Sequence, residues 1–118
     1  MATVTDLTVN NIIQTLTDAG FPCSFGNSGG GVYCIYADVI DHPVGVVGSV
    51  CIGTGEWFSG MNMDEVEQSV TLCADGPDDM VTVPTFAIDG LWQDCIDLQS
   101  VLDAAIEAAD AVRGLAHA

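Results

Sequence analysis

The spacing of hydrophobic positions changes character along this chain, and each change marks an element. Over residues 5–20, Val9, Ile12, Ile13 and Leu16 recur at intervals of three and four and project from one face, which predicts a helix. Thr5 or Asp6 can cap its start and Gly20 its end. Residues 21–25 and the β-favouring run 32–40 flank the turn-rich Gly26-Asn27-Ser28-Gly29-Gly30-Gly31, a pattern that predicts a hairpin. His42-Pro43 interrupts the run. Residues 44–52 resume it with little charge and apolar side chains on both faces, as expected of a strand in the middle of a sheet.

Further along, the signals are mixed. Trp57 and Phe58 favour a short strand, and residues 61–67 fit either a helical turn or the approach to the next strand. Residues 69–74 and 81–88 read as strands joined by the strong turn Asp75-Gly76-Pro77-Asp78-Asp79, with Pro84 arguing for an edge or a bulge in the second. Asp89-Gly90 marks another tight turn. In the last segment Leu98, Leu102, Ala105, Ala109 and Val112 form an apolar seam at alternating four- and three-residue spacing. Asp97 can act as N-cap there, and Gly114 is placed to stop the helix. Asp103, Glu107 and Asp110 fall on the opposite face, so this helix is amphipathic with an acidic outer stripe. The expected fold is α+β: one domain over residues 1–118, an antiparallel sheet of about five strands with an N-terminal and a C-terminal helix packed on it.

Composition adds a partner class to this outline. Hydrophobic residues make up 49% of the chain, ample for one core, so the charge does not imply disorder. Seventeen Asp and Glu stand against a single basic side chain, Arg113, with no lysine, giving a formal net charge of −16. Residues 1–60 hold Asp6, Asp18, Asp38, Asp41 and Glu56, and the other twelve acids lie beyond them. Such a surface repels nucleic acid and anionic membrane and attracts basic patches on proteins. Five cysteines at wide intervals, odd in number and without a CxxC pair, argue against a disulfide framework or a zinc site and for a reducing compartment. The N-terminal residues lack the basic and apolar regions of a secretory signal. The fourteen uncharged residues between Asp41 and Glu56 fall short of the roughly 20 that span a bilayer. The expected location is the cytoplasm.

Candidate chemistry is sparse. Gly26-Asn27-Ser28-Gly29-Gly30 is similar to the nucleophile-serine segment of trypsin-like proteases, but no His lies upstream to activate a hydroxyl. The glycine-rich stretches, Gly53-Thr54-Gly55 included, have no lysine to reach a phosphate. Asp75, Asp78 and Asp79 offer oxygen ligands for a hard cation, but without the alternating acids and late glutamate of a helix-loop-helix calcium site; a solvated turn is the expectation. His42 precedes a proline, His117 lies near the C-terminus, and no cysteine has a nearby base. The expectation is therefore no enzyme, no cofactor and no metal.

The acidic stripe carries more weight. Asp103, Glu107 and Asp110 are separated by about 5 to 6 Å along the helix axis at a rise of about 1.5 Å per residue, comparable with the step between successive phosphates on a nucleic-acid strand. With Asp64, Glu65, Glu67, Asp75, Asp78 and Asp79, they form the expected partner-binding set, backed by Asp89, Asp94 and Asp97. Unbalanced charge destabilises a compact state through self-repulsion, so a chain lacking the basic half of an ordinary surface calls for a reason.

In charge and layout the chain resembles uracil-DNA glycosylase inhibitors and phage anti-defence proteins. That resemblance implies an inhibitor that occupies the basic groove of a nucleic-acid enzyme, a restriction enzyme or a CRISPR effector; no family motif transfers residue roles. A second reading is a small acidic adaptor or secretion-type chaperone, acting as a homodimer through the helix seam and through Trp57, Phe58, Met61, Met63 and Trp92. A third is salt adaptation, in which the charge has no partner.

Overall fold

The apolar runs close into one sheet backed by both helices. The structure is a computed structural model and describes residues 7–29, 32–42, 45–54, 63–75 and 93–116. Helix α1 (Val9–Asp18) precedes strands β1 (Cys23–Gly29), β2 (Val32–Asp41), β3 (Gly45–Gly53), β4 (Val70–Asp75) and β5 (Gln93–Cys95), and helix α2 (Leu98–Ala116) follows them. Every neighbour in the spatial order β1-β2-β3-β4-β5 is antiparallel. The α+β expectation holds, and the uncharged run becomes the middle strand, β3.

The register sorts the sheet into two faces. Ala37 lies opposite Val50, and Val50 opposite Ala74; Ile35, Ile52 and Leu72 form the next row, and Val70 faces Cys95. These side chains join Val9, Ile12 and Leu16 of α1 and Val101, Ala104, Ala105, Ala108, Ala109 and Val112 of α2 in one buried core, so both helices lie on the same face. Each large aliphatic side chain fully buried there contributes about 1.5 to 3 kcal/mol of transfer free energy. A bulge between Val39 and Ile40 leaves Val47 as the extra residue of β3 and turns it into the core. Phe25 and Tyr33, diagonal neighbours on β1 and β2, stack with ring centroids 5.4 Å apart.

The start of α1 departs from the sequence expectation. Thr8, not Thr5 or Asp6, is the N-cap: its Oγ1 accepts a bond from the Asn11 N–H at 2.9 Å. The cause is tertiary. Leu7 is fully buried and bridges to Glu67, whose N–H donates to the Leu7 carbonyl at 2.9 Å, so the chain is held extended up to Thr8. Leu7 and Ile12 then occupy the flanking positions of a hydrophobic staple. At the other end Gly20 does its expected work with φ +98°: its N–H donates to Thr17 and the Phe21 N–H to Leu16, closing a Schellman motif over the buried Leu16 and Phe21.

Three further expectations meet the structure differently. Residues 61–67 resolve, from Met63 onward, into a turn at Met63 and Asp64 and then the Glu67 bridge, the approach to β4 and not a helix. The partner of β4 on its outer side is β5, a three-residue strand that sequence pattern did not mark; the expected strand 81–88, the turns at 76–79 and 89–90, and Trp57 and Phe58 lie outside the described residues. Helix α2 does not stop at Gly114. It continues to Ala116 because the Arg113 side chain docks on β2, Nε donating to the Ile40 carbonyl at 2.9 Å, and because Gly114 is not in the left-handed conformation that ends a helix.

Candidate acidic interface

The stripe on α2 is built by the cap that starts the helix. Asp97 accepts the Ser100 N–H on Oδ1 at 2.7 Å, while the Ser100 hydroxyl accepts the N–H groups of Ile96 and Asp97 at 3.0 and 3.1 Å, a reciprocal cap that fixes where the helical phase begins. From that phase the small residues Ala104, Ala105, Ala108 and Ala109 turn into the core with Val101 and Val112. Asp103, Glu107 and Asp110 consequently face out, all three exposed. Gln99 donates to Asp103 at 2.9 Å and orients its carboxylate.

Two features of this face escape a reading of charge alone. Ile106 flanks the three acids with 46% of its surface exposed, an apolar side chain along one side of the stripe. Arg113, the only basic side chain of the chain, lies at the C-terminal end of the stripe and touches Asp110 at 3.4 Å. That ion pair is solvent-exposed and weak. The firmer contact of the guanidinium is within the fold, from Nε to the Ile40 carbonyl.

The other expected site residues are not gathered beside this stripe by any single element. Asp64, Glu65 and Glu67 lie on the segment that leads into β4 and rests against the start of α1: the Asn10 side-chain amide donates to Asp64, the Asn10 N–H to the Met63 carbonyl, and Glu67 bridges Leu7. Asp64 and Glu65 are exposed and Glu67 is half-buried. Asp75 ends β4, and Asp78 and Asp79 lie outside the described residues. Asp94 accepts from Thr71 at 3.1 Å across the β4–β5 pair, and Asp97 is occupied as a cap, so these two acids serve the fold. Glu65 and Val66, both exposed, continue the mixture of acid and hydrophobe seen around Ile106.

No group of three or more His, Cys, Asp or Glu among the described residues is arranged to hold a metal ion. Burial pushes the Cys95 thiol up to about 11, with the charges of Asp94 and Asp97 adding to the effect. Burial likewise raises Cys23, against a lowering hydrogen bond with Thr17 and with Asp38 raising it further. Both thiols hold their protons and are poor nucleophiles at neutral pH. No helix among the described residues is long and apolar enough to cross a membrane. No family model, no curated protein and no solved structure matches this chain.

Proposed function

We propose that this chain is a non-enzymatic acidic binding protein that occupies the basic, nucleic-acid-binding groove of a partner protein, in the manner of an anti-restriction or anti-CRISPR inhibitor that imitates DNA. The observation that carries the reading is the exposed stripe Asp103, Glu107 and Asp110, set on a regular helix and flanked by the exposed Ile106. Carboxylates at helical spacing present negative charge in a fixed row, and an exposed hydrophobe beside the row supplies the desolvated contact that charge alone does not give. With the only guanidinium committed within the fold, no lysine or second arginine offsets the row. A partner with a basic groove gains steering from this field, and its natural polyanion is the competitor.

The adaptor or chaperone reading uses the α2 seam together with Trp57, Phe58, Met61, Met63 and Trp92. Of these, Ala105, Ala109 and Val112 are fully buried in the chain's own core, Met63 is exposed, and Trp57, Phe58, Met61 and Trp92 lie outside the described residues.

Capture of basic proteins on the immobilised chain at low salt, eluted by a salt gradient and challenged with duplex DNA, tests the proposal. The expected outcome is a nucleic-acid enzyme or effector that elutes as salt rises and is displaced by DNA. A client that survives high salt and ignores DNA would refute it.

A further inference from the structure

The face of the sheet turned away from the helices carries an arrangement that the acidic surface does not use. Alternation along the strands puts Cys34 and Tyr36 of β2, Ser49 and Cys51 of β3, and Thr71 and Cys73 of β4 on that side. Cys34, Cys51 and Cys73 are buried, at 3, 5 and 5% exposure, yet none belongs to the core shared with the helices. Cys51 and Cys73 are direct register partners on neighbouring antiparallel strands. Ser49 lies on the same face, its Oγ 4.0 Å from the Cys51 Sγ.

We propose that Cys51 and Cys73 form a redox-active pair, which a low-molecular-weight disulfide such as oxidised glutathione converts to an intramolecular disulfide joining β3 to β4. Opposed residues on antiparallel strands have Cα atoms about 4.5 to 5.5 Å apart. A disulfide spans about 4.4 to 6.8 Å, so the strands need not separate to be bridged. Cys34 is excluded as the partner by position: Tyr36 opposes Cys51, so Cys34 is a diagonal neighbour, about 7 to 8 Å away. Cys95 lies on the other face of the sheet opposite Val70, and Cys23 opposes Ala37 on that same face. All five cysteines are described, and none is in a disulfide in this structure.

The exchange balances without a further reagent. The sulfur of one cysteine, as thiolate, attacks oxidised glutathione and forms a mixed disulfide while glutathione thiolate leaves. The second cysteine, as thiolate, then attacks the protein sulfur of that mixed disulfide, and the second glutathione leaves. The two protons given up by the cysteines pass to the two glutathione thiolates, so the protein loses two protons and two electrons, and oxidised glutathione gains them. The closed loop contains Asp64, Glu65 and Glu67, so oxidation ties the segment that rests on α1 to the centre of the sheet at both ends.

The test equilibrates the full chain with an excess of oxidised over reduced glutathione, blocks residual thiols and reads the intact mass and the cross-linked peptides. The expected result is a loss of about 2 Da, one linked peptide pair containing Cys51 and Cys73, and reversal by dithiothreitol. Cys51→Ala and Cys73→Ala should abolish the loss, and Cys34→Ala should keep it. A wild-type chain that stays fully reduced, carries glutathione adducts alone or links any other pair would overturn the proposal, and this readout does not depend on how the variants fold.

Discussion

Neutralising the α2 stripe with Asp103→Asn, Glu107→Gln and Asp110→Asn separates a binding face from a merely solvated one, because stability and binding should move differently. Asp103 and Glu107 are four residues apart and Glu107 and Asp110 three, so each like-charge pair costs the helix about 0.2 to 0.5 kcal/mol, which the substitutions relieve. The Asp103→Asn change keeps a side-chain oxygen to accept from Gln99, and the only pairing lost is that of Asp110 with Arg113, at an exposed position where such a pair contributes about 0 to 1 kcal/mol. The terms oppose one another, so the unfolding free energy should shift by about 1 kcal/mol at most. Binding has no such compensation. Three exposed charge contacts of about 0.5 kcal/mol each amount to about a tenfold loss of affinity for a captured basic partner at low salt, shrinking as salt rises from about 50 to about 200 mM. Denaturant titration and competition against a labelled DNA duplex at both salts measure the two quantities. A folded triple variant that binds with wild-type affinity and wild-type salt dependence would refute the assignment of this face.

Other expectations follow from three helix ends and the buried thiol. Gly20→Ala should cost about 1 kcal/mol, because φ of +98° strains any L side chain although nothing lies within 4 Å of the new Cβ, whereas Gly114→Ala, inside α2 and equally unobstructed, should stabilise by about 0.5 to 1 kcal/mol; paired thermal melts give the opposite signs. Asp97→Ala removes the acceptor for the Ser100 N–H and should lower stability by about 1 kcal/mol, with Asp97→Asn recovering most of it. Cys95 is protonated in the fold up to about pH 11 but ionises near 9 when unfolded, so its contribution is complete below pH 9 and is lost as pH rises from 9 to about 11, about 2 kcal/mol after allowing for screening. Unfolding curves across that range should flatten in Cys95→Ala; an unchanged alkaline slope would exclude this thiol as the cause.

How much the sequence announces depends on whether an element's signal is local. β3 is legible because the half of it that is buried on both faces, Val50 to Gly53, must carry no charge, and the uncharged run at 44–52 says so. α2 and its stripe are legible because helical period alone sets which residues share a face. β5 is not: Gln93 and Asp94 are exposed and polar, and only the pairing of residues 93–95 with Val70, Thr71 and Leu72 makes them a strand. The first turn of α1 is lost for the same reason, since Leu7 is drawn out by Glu67, sixty residues away in sequence. On α2, Ala105, Ala109 and Val112 of the predicted seam are fully buried, while Leu98 and Leu102 are half-buried and the core also takes Val101, Ala104 and Ala108, small residues whose burial the seam's spacing does not mark. The commitment of Arg113 to a carbonyl of β2 has no local signal at all.

That last contact gives the molecule a built-in reporter. Trypsin cuts after Lys or Arg, and this chain offers it a single target, the bond between Arg113 and Gly114. The target sits within a helix, with its side chain half-buried and tethered to the sheet. A protease must wait for the last turns of α2 to unwind, so in the regime where opening is fast relative to cleavage, the rate of this one cut measures the free energy of local fraying at the end of the acidic helix, with no competing sites to confuse the count.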